Sequence, residues 1–400
     1  MVFELNQEFF NQIFFFVLFF GFMFVYPRLM LTQMLFQLDR TVRGLEENSL
    51  KGRSIAIKKA SKSPSRAVRD SITQFMDFFV IEPVGIDPAG AMKRIEHLSN
   101  LGDKRFRYFV KNVAPQLGKE EQANMAMTLA GTVSLHQVMK IVRHYVEIVR
   151  KTRNLQIAMI LQMQLPFIER VSRAMLKGTE AFANGWPVGD TVGPLVASHL
   201  IGDGKSKDIA DDETVVVKRR IKGRNVIVMR AKGPGGRLGK LGRAVEILSR
   251  RGKIAKVITV DAAAKLEGEK TGAIAEGIGV AIGGIGVDRG YIEKIATEKD
   301  IPLDTIVVKM SQEEAIMPMR MEILNAVPSV LKMVERNVQE TAEKGDIIII
   351  GVGNCTGVDN DKKGALKAEL LIKKVAAQVK KQEAVEEKDR KKFSNRFLGM

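Results

Sequence analysis

One cysteine, one tryptophan, four tyrosines and four histidines in 400 residues exclude several classes of protein at once. A lone Cys355 builds no disulfide framework and fits a reducing compartment. His97, His136, His144 and His199 lack any Cys/His spacing of a zinc or other first-row metal site, so neither metal nor cofactor is expected. Basic residues are not interleaved with aromatics, and no zinc-finger or RNP-type pattern occurs, so nucleic acid is not an expected partner. Acidic residues are also in deficit: 46 against 63 Lys and Arg, a net charge of +17.

What the chain does have is one long uncharged stretch. Phe9 to Pro27 carries no charge, and about 20 apolar residues at about 1.5 Å rise cover a hydrocarbon core of about 30 Å. The preceding residues carry Glu4 and Glu8 rather than Lys or Arg, and no small-residue cleavage site follows, which argues for a retained anchor over a signal peptide. From Arg28 to Arg69 there are ten Lys/Arg against Asp39, Glu46 and Glu47. That asymmetry predicts a single-pass protein whose body is cytoplasmic. Lys51, Arg53, Lys58, Lys59, Lys62, Arg66 and Arg69 are expected to lie near anionic head groups of membrane lipid, with a plain solvated surface as the alternative.

Leu29, Met30, Met34, Leu35, Leu38, Val42 and Leu45 recur at helical steps, so residues 1–60 read as anchor plus amphipathic stalk, a stripe through which a homo-oligomer could form. Ala60 to Arg66, with Pro64, reads as a linker. Residues 61–185 form an all-helical domain, with Asp87-Pro88 as a helix start; His136 and His144 within it read as packing or surface groups. After Trp186 the grammar changes. Val215–Lys218, Asn225–Met229, Ala255–Val260, Thr305–Val308 and Asp346–Gly351 read as strands, and 242–251, 289–299, 328–344 and 363–381 as helices. Residues 186–382 are therefore an α/β sheet domain covered by helices on both faces, and 383–400 a charged mobile tail.

Open α/β sheets bind ligands at strand ends, and five loops there carry glycine or aspartate. Gly189-Asp190-Thr191-Val192-Gly193-Pro194 opens a helix, where Asp190 alone reads as a cap. Ala231 to Gly242 holds Gly233, Gly235, Gly236 and Arg237, candidates for anion binding, but it is no Walker A loop because Pro234 and Leu241 occupy required positions. Val257 to Lys265 carries Asp261 at the end of a buried strand. Gly277 to Arg289 is a glycine-rich loop. Asp346 to Asn354 runs through Gly353 into Asn354, followed by the reserve acids Asp359 and Asp361.

In order, Asp190-Thr191-Val192-Gly193-Pro194, Ala231 to Gly236 and Val260 to Ala264, with Ile301 to Val308 as a later strand, resemble the fold shared by the spore germination protease and the hydrogenase maturation peptidases. That resemblance implies an atypical aspartic peptidase with Asp190 and Asp261 as its catalytic acids. The family begins with a strand ending in Gly-x-Gly-Asn, whereas here that element, Ile350 to Asn354, comes last, and a circular permutation reconciles the two. It requires Asp346–Gly351 to lie inside the sheet and Asn354 to come near Asp190. The metal-binding histidine of the maturation peptidases finds no matching position here, His199 being the only histidine in this domain. The whole chain also resembles an archaeal family of N-terminally anchored proteins, which implies the plasma membrane. Two functions stay open: a hydrolase of peptide or protein substrates, and a non-catalytic ligand-binding or scaffold protein on the same fold.

Overall fold

The computed structural model describes residues 2–78, 88–204, 206–211, 213–282 and 286–398. They fall into two compact units, 1–51 with 134–173, and 52–133 with 174–400. Three long helices contribute to both: α1 (Val2–Ala60), α4 (Lys119–Thr152) and α5 (Leu155–Asn184).

In the first unit α1 carries the only helical stretch, among the described residues, long and apolar enough to cross a membrane. Its side chains from Phe9 to Tyr26 are exposed throughout. Beyond it, Leu31, Met34, Leu35, Leu38, Val42 and Leu45 are buried against Val142, Val146 and Val149 of α4 and Ala158, Leu161 and Leu165 of α5. Most of the stalk stripe is thus covered within the chain, while Leu29 stays exposed. Thr41 donates to Glu169 at 2.8 Å, and Asn48 to Ser172 at 3.0 Å, fixing the register of α1 against α5. His136 reaches Ser49 Oγ of α1 at 3.3 Å as a helix-packing group, whereas His144 is an exposed surface group beside its neighbour Tyr145.

In the second unit α1 ends at Ala60, and α2 (Arg66–Phe75) starts after the expected linker, with Ser65 Oγ accepting from Val68 N at 3.3 Å as its cap. Helix α3 covers Pro88–Val113; Asp87, the residue expected to cap it, lies outside the described residues. Ala56, Ala60, Ile72, Val110, Ala114, Met125 and Leu129 form the core of this helical part.

After a single 3₁₀ turn, Gly189–Thr191, come α6 (Val192–Ile201), β1 (Lys207–Ile209), β2 (Thr214–Ile221), β3 (Arg224–Ala231), α7 (Leu241–Ser249), β4 (Ile254–Ala264), β5 (Ile274–Ile278), α8 (Val287–Lys299), β6 (Leu303–Met310), α9 (Gln312–Ile316), α10 (Met321–Glu340), β7 (Asp346–Gly351) and α11 (Lys362–Leu398). The seven strands lie in the order β1-β2-β3-β7-β4-β6-β5. The central β3, β7, β4 and β6 are parallel, and the edges are antiparallel. Alternate residues serve opposite faces. Val226, Val228, Ile258, Val260, Ile347 and Ile349 meet α6, α10 and α11, whereas Ile227, Met229, Val257, Ile348 and Ile350 meet α7 and α8.

The last strand, β7, lies inside the sheet between β3 and β4, as expected. Three expectations change. Helix α10 starts at Met321 rather than 328, because Pro328 interrupts one hydrogen bond while Ile323, Leu324, Val327, Val330 and Val334 bury a full face. Helix α11 runs to Leu398, past the 381 that apolar periodicity marks. The glycine loop at 277 begins as an edge strand, β5, antiparallel to β6.

Candidate functional site

The carboxyl ends of β3, β7 and β4 share one edge of the sheet, where the chain leaves β3 toward α7 on one face and β7 toward α11 on the other. Such a switch point opens a crevice. Here it belongs to a cleft of about 810 Å³ lined by the loops after β3, β4 and β7, the turn at Asp190, and residues of α3 and α4.

Asp190 is not a cap. Helix α6 has no side-chain capping bond, and Asp190 Oδ2 instead accepts from the Asn354 amide at 2.7 Å, across 164 residues of sequence. Two glycines make that approach possible. Gly353 has φ of +122°, and a Cβ there would fall 2.0 Å from the Asp190 carbonyl oxygen; at Gly193 a Cβ would meet Val352 O at 2.1 Å and Val260 O at 2.4 Å. Burial raises the Asp190 carboxyl above the usual carboxylate range, opposed by the Asn354 amide, which favours the charged form.

Asp261 follows Val260, whose carbonyl accepts from Val352 N at 2.9 Å and so carries the β7–β4 pairing one step beyond the strand. It is only 4% exposed, and its Oδ1 accepts from Ala262 N at 2.6 Å. By alternation it shares the α7/α8 face of the sheet, while Asp190 enters from the turn before α6; both line the cleft.

The glycine loop is differently used than its sequence suggests. Gly235 N donates to Glu120 Oε2 at 2.8 Å, Gly236 N to Asn124 Oδ1 at 2.7 Å, and Gly233 N to Asn360 Oδ1 at 2.8 Å. All three amides are therefore engaged by protein acceptors. Arg237 forks onto both oxygens of Glu120, Lys232 pairs with Asp208, and Lys240 with Asp211 at 2.6 Å. Cations around the loop are consequently neutralised in place. Asp103 and Asp288 on the cleft wall are also pushed up by burial, and Tyr291, donating to Glu96 at 2.7 Å, rises to about 12.

The reserve acids stay outside. Asp361 Oδ1 accepts from Gly364 N at 2.7 Å as the cap of α11, and the Asp359 carbonyl accepts from Ser198 and Arg230; neither side chain lines the cleft. Asn354 does double duty: its Oδ1 accepts from Thr356 N and Oγ1, while its buried Nδ2 has no partner among the described residues. No group of three or more His, Cys, Asp or Glu that could hold a metal occurs among the described residues. His199 instead pairs with Glu369 at 2.8 Å.

Sequence reasoning missed two supports. Glu120 and Asn124 stand in the first turns of α4, where acidic and polar residues are ordinary, so no local signal marks them as holding a loop 115 residues away. Arg230, next to last in β3, is fully buried and donates to the carbonyls of Pro194, Ala231, Val358 and Asp359, clamping α6 and the approach to α11 with no carboxylate ion pair among the described residues. An arginine closing an apolar strand was the available clue.

Residues 12–185 match the family described as protein of unknown function (DUF1512) N-terminal domain, and residues 188–359 match the domain of unknown function (DUF1512) C-terminal. The chain belongs to the DUF1512 family. Asp190, Asp261, the glycine loop and Asn354 all fall in the C-terminal match of this DUF1512 protein, and the apolar stretch of α1 begins just ahead of the N-terminal match. Among curated proteins none matches the chain.

Proposed function

We propose that this DUF1512 protein is a peptidase-like hydrolase, tethered to the archaeal plasma membrane by α1 with its body in the cytoplasm, and that its cleft acts through Asp190 and Asp261. The observation that carries the reading is the arrival of these two acids, 71 positions apart in sequence, on one cleft at the carboxyl edge of a parallel sheet. Burial raises the Asp190 carboxyl, which suits it to donate to a carbonyl oxygen, and in this reading Asp261 takes the part of base toward water. Substrates would be peptides or proteins that reach the inner face of the membrane.

A second reading is favoured by one specific observation: the loop amides and their neighbouring cations are already satisfied internally, as in a rigid binding cleft or scaffold. Incubation of the detergent-solubilised chain with a peptide library, with mass-spectrometric detection of cleavage, separates the two. Cleavage by wild type that is lost in both Asp190→Asn and Asp261→Asn, with folding intact, supports the hydrolase. Cleavage that persists in both variants refutes the pair. Thermal stabilisation by a peptide without cleavage favours the scaffold.

A further inference from the structure

The cleft is longer than a site that only surrounds one bond. Helix α3 lines it with Glu96, Asn100, Asp103, Arg107 and Val110, alternating steps of four and three residues that keep one face of the helix on the cleft for about four turns. At about 1.5 Å per residue this wall is about 21 Å long, the span of about six residues of extended peptide at about 3.3 Å each.

The contacts of α3 orient the cleft. Near its start Glu96 accepts from Tyr291 of α8 at 2.7 Å; further along Arg107 pairs with Glu213, just before β2; at its end Val110 packs with Met125 and Leu129 of α4. The acids belong to the α4 end. A Cβ on Gly236 would meet Met127 Cγ of α4 at 2.8 Å and Thr356 Oγ1 at 2.9 Å, Thr356 N donates to Asn354 Oδ1 at 2.9 Å, and Asn354 N donates to Asp190. There α4 turns Ala123, Ala126, Met127 and Ala130 to the cleft, all half-buried, so three of these four positions keep the wall shallow and apolar. Charge argues against a polyanion as occupant. Eight carboxylates against six Lys and Arg line the cleft although the whole chain carries +17, and Arg107, Lys232, Arg237, Lys240 and Arg243 are each paired.

We infer that the cleft is a groove for an extended peptide segment of about six residues, in which an apolar side chain packs on α4 beside the acids while the chain continues along α3 toward Tyr291. The nature of the occupant rests on the peptidase-like reading; the length and polarity of the groove do not. Such a groove favours the interior of an extended chain over free dipeptides, because a dipeptide at about 7 Å covers only about a third of the α3 wall. Ala126 and Ala130 then decide which side chain is admitted next to the acids.

The test uses the full chain in detergent and a series of end-blocked peptides, from dipeptide to octapeptide, each with one central leucine among glycine and serine. Turnover is read as kcat/KM by mass spectrometry, and affinity in the Asp190→Asn chain by displacement of a fluorescein-labelled hexapeptide. We expect both to rise at least about tenfold from dipeptide to hexapeptide and to level off beyond it, and to fall about tenfold when aspartate replaces the leucine, as loss of one buried apolar side chain implies. Asn100→Trp should remove the gain with length. Ala126→Glu should reject the leucine peptide and accept one with lysine in its place; if that variant does not fold, Ala130→Glu carries the same test. Turnover and affinity that are equal at every length overturn the groove and leave the hydrolase standing. Affinity that rises with length, without cleavage by wild type, supports the groove and overturns the hydrolase. Leucine and aspartate peptides bound alike overturn the apolar wall, and failure of every peptide to bind overturns groove and hydrolase together.

Discussion

Replacing Asp190 by asparagine separates a buried acid from a structural cap through the pH dependence of stability. Burial raises its carboxyl, so the folded protein keeps the proton at pH values where the unfolded chain, titrating near about 3.9, has lost it. Folded stability attributable to Asp190 therefore falls as pH rises from about 3.9 to the raised value, by at most about 1.4 kcal/mol per pH unit for one proton, and is constant above it. Asparagine keeps an oxygen to accept the Asn354 amide but carries no charge to bury. The variant should be more stable than wild type at pH 7, and this advantage should vanish toward pH 3.9. A capping aspartate predicts the reverse, a loss of about 1 kcal/mol at neutral pH. Trp186, the only tryptophan and four residues before Asp190, reports unfolding of this region, so urea titrations of the full chain followed by its fluorescence give the difference directly. A difference between variant and wild type that stays flat from pH 4 to 8, or that favours wild type at pH 7, refutes the argument.

Arg230→Met should cost about 1–3 kcal/mol in the same urea titration, because it leaves the buried Val358 carbonyl without its donor and removes one of two donors from Asp359 O; equal midpoints would show the clamp to be dispensable. Gly193→Ala should abolish the folded α/β part, since its Cβ would lie 2.1 Å from Val352 O, whereas Gly252→Ala, with nothing within 4 Å, should leave the melting temperature within about 1 °C of wild type, as surface changes usually do. Burial raises the Cys355 thiol, and its Sγ faces the carbonyls of Lys232 and Gly235 at 3.0 and 3.1 Å, so at pH 8 a disulfide reagent should titrate no thiol in the native chain and one after denaturation.

The sheet was legible in the sequence because buried parallel strands are written as continuous β-branched runs, and Asp346 to Gly351 reads that way to the residue. Its neighbours were read short at ends such as Ala262 to Ala264 and Arg219 to Ile221, where small or charged residues carry no strand signal while pairing to the next strand continues. Strand β5 was hidden by Gly277 and its position at the edge. The nearness of Asn354 to Asp190 followed from the permutation argument, which uses chain order rather than local pattern. What could not be read was which groups satisfy the glycine loop. Gly-Pro-Gly-Gly promises free amides, but Glu120 and Asn124 reach them from a helix, and that depends on how two separately encoded elements pack. The stalk stripe is ambiguous for a related reason: periodicity announces a buried face without saying whether the cover is another copy or, as for most of this stripe, the same chain's α4 and α5.

Accounting for donors narrows how a hydrolytic cleft of this kind would work. Attack of water on an amide builds negative charge on the carbonyl oxygen, and hydrogen-bond donors must be aimed there. Gly233, Gly235 and Gly236 give their amides to Asn360, Glu120 and Asn124, and Arg237, Lys232 and Lys240 are each held by carboxylates. Near the strand ends, Asn354 Nδ2 is buried and without a partner among the described residues, and the Asp190 carboxyl can itself donate when it holds a proton. A neutral carboxylic acid can donate such a bond if its surroundings keep it protonated at working pH. On the proposed hydrolase reading, the burial that raises Asp190 would be the feature on which turnover depends. Asparagine at 190 would retain donor atoms but could pass no proton to a leaving amine. Loss of turnover in Asp190→Asn together with the stability gain expected at pH 7 would place the function of that residue in its proton, because a merely structural acid gives neither result and a merely electrostatic one gives only the second.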